Sequence, residues 1–214
     1  MNLILEILKY ILLNSDKFLH ALCEHCLLSF FALFIGIVIS IPLGILCSKN
    51  NKYLEHFVNI LISLKVIPSI AILALAMPFV GTGFKPSLMA LSIVAFPPIL
   101  INTTLGLKGI NATVIESATG MGMNKLQILL KIKFPLAFPM IFTGIKLSIV
   151  SVISSATLAA FIGGGGLGTF IINGLSMYDL PLLLIGAISV AILAILSELS
   201  LTLIENIFIK YKKV

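Results

Sequence analysis

The sequence predicts an all-α polytopic membrane protein with about five transmembrane helices and one long polar loop. Of its 214 residues, 59% are hydrophobic and 10% are charged, whereas soluble domains carry about 25% charged residues. The apolar residues form runs close to the roughly 20 residues that a helix needs to cross a bilayer. The lysines collect mainly in the short segments between these runs. Together these observations place the chain in lipid.

The charge pattern excludes several classes of function. All basic residues are lysines, so no site in this chain can use a bidentate guanidinium. The net charge of +6 could indicate nucleic acid, but the lysines lie in loops and do not form a stripe. Membrane orientation explains them better.

The chain divides into three predicted regions. Residues 1–26 are an outer or interfacial segment, residues 27–205 are the transmembrane domain with its polar loop at 107–135, and residues 206–214 are a basic tail. The first 13 residues are too short and too charged for a confident span, and we expect them along the interface. They have no basic start and no small-residue cleavage site, so a signal peptide is not expected.

His20, Cys23, His25 and Cys26 have the side-chain types of a metal site. There is no second cluster, and a helix would scatter these side chains, so we predict an interfacial helix end and no metal. The three cysteines are an odd number and predict no disulfide framework.

The predicted spans are 27–47, 57–80, 87–105, 136–162 and 180–204. Pro42 predicts a kink in the first span, and Pro68 and Pro78 predict a broken second span. Pro97 and Pro98 interrupt the third, which is tolerated only where backbone groups face protein or a water-filled path. Two lysines inside spans, Lys65 and Lys146, are unexplained.

The polar loop predicts a helix, a glycine turn and a second helix. Asn111 can cap the first helix, and Gly120 and Gly122 supply the permissive backbone that ends it. The second helix begins near Asn124, and Pro135 is expected to end the segment.

The second helix is predicted to be amphipathic. Met123, Leu126, Leu129 and Leu130 fall on one side of a helical wheel, and Ile128 violates the pattern.

The same loop carries a family resemblance. Its residues resemble the EAA signature of permease subunits of binding-protein-dependent ABC importers, which reads E-A-A, three residues, G, nine residues, I-x-L-P. The matching positions are Glu116, Ala118, Gly122, Ile132 and Pro135. Ser117 and Phe134 depart from the signature but keep roughly the usual size or apolarity.

The resemblance implies that the loop faces the cytoplasm and docks into a groove of a separate ATPase subunit. The implied coupling residues are Glu116, Ser117, Ala118, Gly120, Met121, Gly122 and Leu126. The alternative is an amphipathic loop that lies on the membrane surface.

Lysine counts predict the same orientation without the resemblance. With the C-terminus inside, the cytoplasmic segments hold Lys49, Lys52, Lys108, Lys125, Lys131, Lys133, Lys210, Lys212 and Lys213. The outer segments hold Lys9, Lys17 and Lys85. The positive-inside rule therefore places the N-terminus outside and the loop in the cytoplasm.

Polar residues near the end of the fourth span are candidates for the translocation path. Ser151, Ser154, Ser155 and Thr157 could line a conduit or could let helices approach and hydrogen-bond to each other.

A glycine-rich loop follows, from Gly163 to Gly168, and the candidate gate residues are Gly163, Gly164, Gly165 and Gly166. It is not a P-loop, because such a loop needs lysine where Thr169 stands. We therefore expect no ATP hydrolysis and no cofactor on this chain, with ATP and Mg²⁺ held by a partner ATPase.

Residues 67–86 and 144–168 resemble permeases for osmoprotectants such as glycine betaine, choline and carnitine, over roughly residues 27–205. With no Trp and 4 Tyr for cation–π contacts, specificity is expected on a separate extracellular binding protein. The resemblance further implies a bacterial inner-membrane location, two ATPase copies and a second permease copy, with a homodimer expected. A methionine or other amino-acid importer is the alternative substrate class.

Two other classes are less consistent with the residues. A stand-alone channel or secondary transporter would more often carry an inverted repeat, and no convincing repeat is seen. A membrane enzyme subunit would need a polar constellation, but His20, His25 and His56 are not arranged near a carboxylate or thiol pair deep in a span.

Overall fold

The computed structural model describes residues 3–49, 60, 63 and 67–209, and the described part of the chain is helical. The helices are α1 (Leu3–Leu13), α2 (Ser15–Cys47), α3 (Ser69–Val80), α4 (Phe84–Lys108), α5 (Ala112–Gly120), α6 (Lys125–Gln127), α7 (Phe134–Ala159), α8 (Gly168–Met177) and α9 (Leu180–Ile209). A π-helical segment, Ile128–Lys133, joins α6 to α7, and a short 3₁₀ turn, Ala160–Ile162, follows α7.

The all-α membrane fold is confirmed. Among the described residues, four helical stretches are long and apolar enough to cross a membrane: Ser15–Cys47, Phe84–Lys108, Lys125–Ile162 and Leu180–Ile207. They carry four of the five predicted spans. The second predicted span is represented by α3. Most of its first part lies outside the described residues, as do Lys52, His56 and Lys65. The tail from residue 210 onward also lies outside them.

Three helices, α2, α4 and α7, form the centre of the bundle. On α2, Gly36, Ser40 and Gly44 are buried and recur every four residues, which places them on one face. A Cβ on Gly36 would lie 2.7 Å from the Cβ of Ala95 on α4. The Ser40 hydroxyl donates to the Phe96 carbonyl at 3.1 Å. Small residues therefore bring the two backbones together, as is usual for helices in lipid.

Small residues and a serine hydroxyl also form the contact between α4 and α7. A Cβ on Gly144 of α7 would lie 2.9 Å from the Pro98 carbonyl oxygen. One turn further along α7, the Ser148 hydroxyl donates to the Ala95 carbonyl at 2.9 Å. The predicted role of serine in holding helices together is thus carried by Ser148, which the sequence did not single out.

Pro135 does not end the loop, contrary to the prediction. It occupies the first turn of α7, and the helix runs on from α6 through the π-helical segment into the membrane. A proline in a continuous α-helix would clash with the carbonyl four residues earlier. The wider π turn immediately before Pro135 changes that geometry, and the first helical turn is where proline is tolerated.

The helical hairpin of α8 and α9 was not anticipated from the sequence. Tyr178 adopts φ 55° at the end of α8 and reverses the chain. A Cβ on Gly174 would lie 2.4 Å from the Leu183 nitrogen, and one on Gly186 would lie 2.6 Å from a side-chain carbon of Ile171. Two glycines therefore allow these helices to pack closely.

Lys146, unexplained by the sequence, forms an ion pair with Glu205 of α9. Both side chains are largely buried, at 21% and 14% exposure. Pairing is the condition under which a charge is tolerated inside a membrane bundle. The ion pair also ties α9 to α7.

Candidate functional site

The polar loop has the predicted helix, turn and helix. The Asn111 side chain accepts a hydrogen bond from the Thr113 N–H at 3.0 Å and caps α5. At the other end, Gly122 has φ +79°, in the left-handed region that favours glycine. The sequence predicted that both glycines end α5 through their permissive backbone. Gly120 remains helical, and only Gly122 adopts the left-handed conformation.

The second helix begins with a capping box. The Asn124 side chain accepts from the Gln127 N–H at 2.9 Å, and the Gln127 side chain accepts from the Asn124 N–H at 2.8 Å. The turn is therefore defined by interactions between residues close in sequence, so that it projects as a preformed element.

Most of the predicted coupling residues are exposed, namely Glu116, Ser117, Gly120, Met121, Gly122 and Leu126. Met121 is 73% exposed and Leu126 is 63% exposed. Within the described part of the chain, Glu116 has no ion-pair partner. These exposed residues are available to a partner, and their role in coupling stays a prediction.

Ala118 is the exception, since it is 1% exposed and packs inward. The predicted apolar face of the second helix is also partly wrong. Leu126 and Leu130 are exposed, whereas Ile128, which violated the helical pattern, is buried. The π-helical segment that begins at Ile128 changes the angular spacing on which the wheel depended.

Two of the four polar candidates on α7 line a cavity of about 420 Å³ between α3, α4 and α7. Ser151 and Ser155 contribute to its wall, together with Ile67, Pro68, Ser69, Ile72, Ile93, Val94, Pro97, Pro98 and Leu147. Ser154 is exposed elsewhere on α7, and the Thr157 hydroxyl donates to the Ser154 carbonyl at 2.6 Å. The structure thus brings Ser151 and Ser155 together and leaves Ser154 and Thr157 outside the cavity lining.

The prolines of α4 add backbone polarity to this cavity. Proline has no N–H, so Pro97 and Pro98 leave the carbonyls of Ile93 and Val94 without their usual helical donors. All four residues line the cavity. Among the described lining residues there is no charged side chain, so its polarity comes from hydroxyl and carbonyl oxygens.

The glycine loop is packed against the start of α2 and α4. Gly163, Gly165 and Gly166 have φ of +75°, +75° and +82°. The Gly166 N–H donates to the Glu24 carboxylate at 3.0 Å. A Cβ on Gly164 would lie 2.3 Å from the Ser87 hydroxyl oxygen. The glycines are therefore required for both backbone conformation and close approach.

His25 is fully buried, so the predicted interfacial helix end is wrong for this residue. The helix α2 continues through residue 26 without a break. The Nε2 atom of His25 lies 3.1 Å from the Ile153 carbonyl oxygen, and its Nδ1 atom faces the Gly166 backbone without a hydrogen-bond partner. His25 and Glu24 thus support the glycine loop, a role that no local pattern in the sequence could indicate.

The four histidine and cysteine side chains near the start of α2 do not share one environment. His20, Cys23 and Cys26 are exposed while His25 points inward. Among residues 3–49, 60, 63 and 67–209, no group of three or more metal-ligating side chains comes together.

Four lysines of the described part of the chain lie at opposite ends of the bundle. Lys49, Lys125 and Lys133 line one groove where α2 ends and α6 begins. Lys17 lies beside Thr169 and Phe170 at the other end, next to the glycine loop. These four lysines fall into the two groups that span order predicts, and the orientation of the bundle in the membrane stays a prediction.

Comparison with known proteins decides the family. The family described as binding-protein-dependent transport system inner membrane component matches residues 40–210. The chain belongs to this family. As a permease it is a membrane subunit of an importer that also uses an ATPase and a substrate-binding protein, and its location is a membrane crossed several times.

Individual relatives agree with this assignment. The permease is 42% identical to the carnitine transport permease protein OpuCB of Listeria monocytogenes, over 90% of this chain and 88% of that protein. It is 36% identical to the choline transport system permease protein OpuBB of Bacillus subtilis, over 94% of this chain and 93% of that protein.

The fold matches a solved transporter. An inward-facing conformation of the MetNI methionine ABC transporter aligns with TM-score 0.80 and 22% identity, over 91% of this chain and 97% of that chain. At this identity the likeness concerns the fold of the permease, which has the transmembrane architecture of an ABC importer.

Proposed function

We propose that this permease forms the translocation path for a quaternary ammonium osmoprotectant, such as carnitine, choline or glycine betaine, delivered by a binding protein. The observation that carries the proposal is the cavity lined by Ser151 and Ser155, whose described lining residues carry no charge, in a permease with relatives named for carnitine and choline. The chemistry of that cavity suits this substrate class.

A quaternary ammonium group has no N–H donor and carries a diffuse positive charge. It needs partial negative charge nearby but no hydrogen-bond acceptor of fixed geometry. The hydroxyls of Ser151 and Ser155 and the carbonyls of Ile93 and Val94 supply such partial charge without a carboxylate. A site with these groups would bind the cation weakly, which favours passage over retention.

The polar loop would couple this path to the ATPase. Exposed Glu116, Met121 and Leu126 offer one charge and two apolar contacts on a preformed turn. We propose that a basic group of the ATPase meets Glu116 and that closure of two ATPase copies moves the loop. This movement would reach α7, because the π-helical segment joins α6 to α7 without a break.

The orientation proposed is N-terminus outside and C-terminus in the cytoplasm. The three lysines at the loop end of the bundle support it through the positive-inside rule. The glycine loop then lies on the outer side, where a binding protein would dock.

A second permease copy would complete the path. Ser154 is an exposed hydroxyl on a membrane helix, which is unfavourable against lipid. A homodimer would cover this face and enclose the conduit from both sides.

Reconstitution with the ATPase and the binding protein tests the proposal. Carnitine, choline and glycine betaine should each be compared with methionine as stimulants of ATP hydrolysis and as transported solutes. Stimulation by a quaternary ammonium compound supports the assignment. Stimulation by methionine alone would overturn the substrate class and leave the family assignment intact.

A further inference from the structure

A second groove lies at the loop end of the bundle and shares no described lining residue with the cavity of the proposed path. It has a volume of about 590 Å³, within the range of small-molecule sites. The lining of this groove, called the basic groove below, is Ile45, Ser48, Lys49, Ile115, Thr119, Met123, Lys125, Leu126, Ile128, Leu129 and Lys133.

The basic groove combines an apolar floor with a cationic rim. Ile45, Ile128 and Leu129 supply aliphatic surface, and Lys49, Lys125 and Lys133 supply positive charge. No aspartate or glutamate is among its described lining residues. The groove therefore attracts an anion that also carries a hydrocarbon chain.

Its position is at the boundary between lipid and water. It lies where the membrane helix α2 ends, at Cys47, and where the long helical stretch Lys125–Ile162 begins. A molecule in the groove would have its charged part beside the lysines and its apolar part directed along the helices. Basic pockets between membrane helices at this depth suit phospholipid head groups.

We propose that the basic groove binds one anionic phospholipid, with its phosphate between Lys49, Lys125 and Lys133. The acyl chain would lie over Ile128 and Leu129. Of the coupling residues, Leu126 lines the groove, whereas Glu116 and Met121 are not among its described lining residues. The lipid would thus sit between the loop and the end of α2 and support the position of the loop.

The absence of tryptophan from the sequence makes a fluorescence test direct. A single tryptophan at Leu129, the L129W variant, would report on the groove. I195W on α9, where Ile195 is 56% exposed, is the matched lipid-facing control. The permease with its ATPase is placed in nanodiscs containing either brominated phosphatidylglycerol or brominated phosphatidylcholine at the same mole fraction.

The expected result is quenching of L129W at least threefold stronger by brominated phosphatidylglycerol than by brominated phosphatidylcholine. The I195W control should be quenched equally by both lipids. Replacing Lys49, Lys125 and Lys133 together with glutamine in L129W should remove the stronger quenching by brominated phosphatidylglycerol. Glutamine at Lys9, Lys17 and Lys85, an equal change of charge at the other end, should preserve it.

Equal quenching of L129W by the two lipids would overturn the proposal, as would a preference that survives the triple glutamine change. Displacement of the brominated phosphatidylglycerol by soluble glycerol phosphate would support recognition of the phosphate by the lysines. If L129W is quenched preferentially by brominated phosphatidylglycerol only when the ATPase is absent, the groove is an ATPase contact and the lipid assignment is wrong. M123W provides a second reporter should L129W fail to fold.

Discussion

Replacing Gly122 with alanine tests whether the turn geometry of the polar loop controls coupling to the ATPase. Gly122 has φ +79°, and a Cβ built on it meets no atom within 4 Å. The cost of the substitution is therefore conformational and not steric. A left-handed conformation costs a residue with a Cβ about 1–2 kcal/mol.

The cost should appear as weaker ATPase binding. If the native turn is the form that docks, about 1–2 kcal/mol reduces its population relative to alternatives by about 5- to 30-fold. The apparent dissociation constant for the ATPase should rise by up to this factor, because it varies inversely with the fraction of molecules that hold the native turn. Membrane insertion should be unchanged, because the loop lies outside the apolar spans.

Gly120 provides the matched control. A Cβ there also meets no atom within 4 Å, but Gly120 is helical. The G120A variant adds the same methyl group and should favour α5 by up to about 1 kcal/mol. G122N should fall between the two variants, since asparagine tolerates the left-handed region better than alanine.

The measurement is a binding titration of the ATPase against permease variants in nanodiscs, with the amount of inserted permease fixed by absorbance. The reasoning is refuted if G122A binds the ATPase as tightly as G120A does. A G120A variant weaker than G122A would also refute it, because a direct contact at Gly120 would then outweigh the turn.

Three further changes test other parts of the structure. K146M should lower the free energy of unfolding by about 3–5 kcal/mol, because it leaves Glu205 buried without its partner. The double variant K146M/E205Q should recover most of this stability, measured as the temperature of thermal unfolding. A double variant no more stable than K146M would argue against the ion pair. S155L should fill the cavity and reduce transport at least tenfold without loss of ATPase binding, whereas S200L, the same change at an exposed position of α9, should have little effect on the rate; equal inhibition by both would contradict the path. Gly165 has φ +75°, and a Cβ there would lie 2.4 Å from a carboxylate oxygen of Glu24 on α2. The G165A variant should therefore lower the unfolding temperature of the purified permease. An unchanged temperature would argue against close packing of the glycine loop.

Sequence patterns determined the elements that depend on local interactions or on composition. The apolar runs located four long membrane helices because burial in lipid requires hydrophobic length, whatever the neighbours. The turn of the polar loop was also predictable. Asn111, Gly122 and Asn124 act on residues at most four positions away, through a cap, a left-handed φ and a capping box.

The same patterns could not predict features that depend on distant segments. Pro135 was expected to break the helix, yet the π turn before it allows continuation. Ile128 is buried although it lay off the predicted face, because that turn shifts the phase of the helix. Local spacing assumes a regular period, and it fails where the helix is irregular.

Only the tertiary structure paired Lys146 with Glu205, and only it brought Glu24 and His25 to the glycine loop. Each of these contacts joins residues more than fifty positions apart. In a membrane protein the apolar face of a helix does not identify its neighbour, because lipid and protein are similarly apolar. Polar contacts and small residues at the interfaces select the neighbour, and these depend on how complete helices fit together.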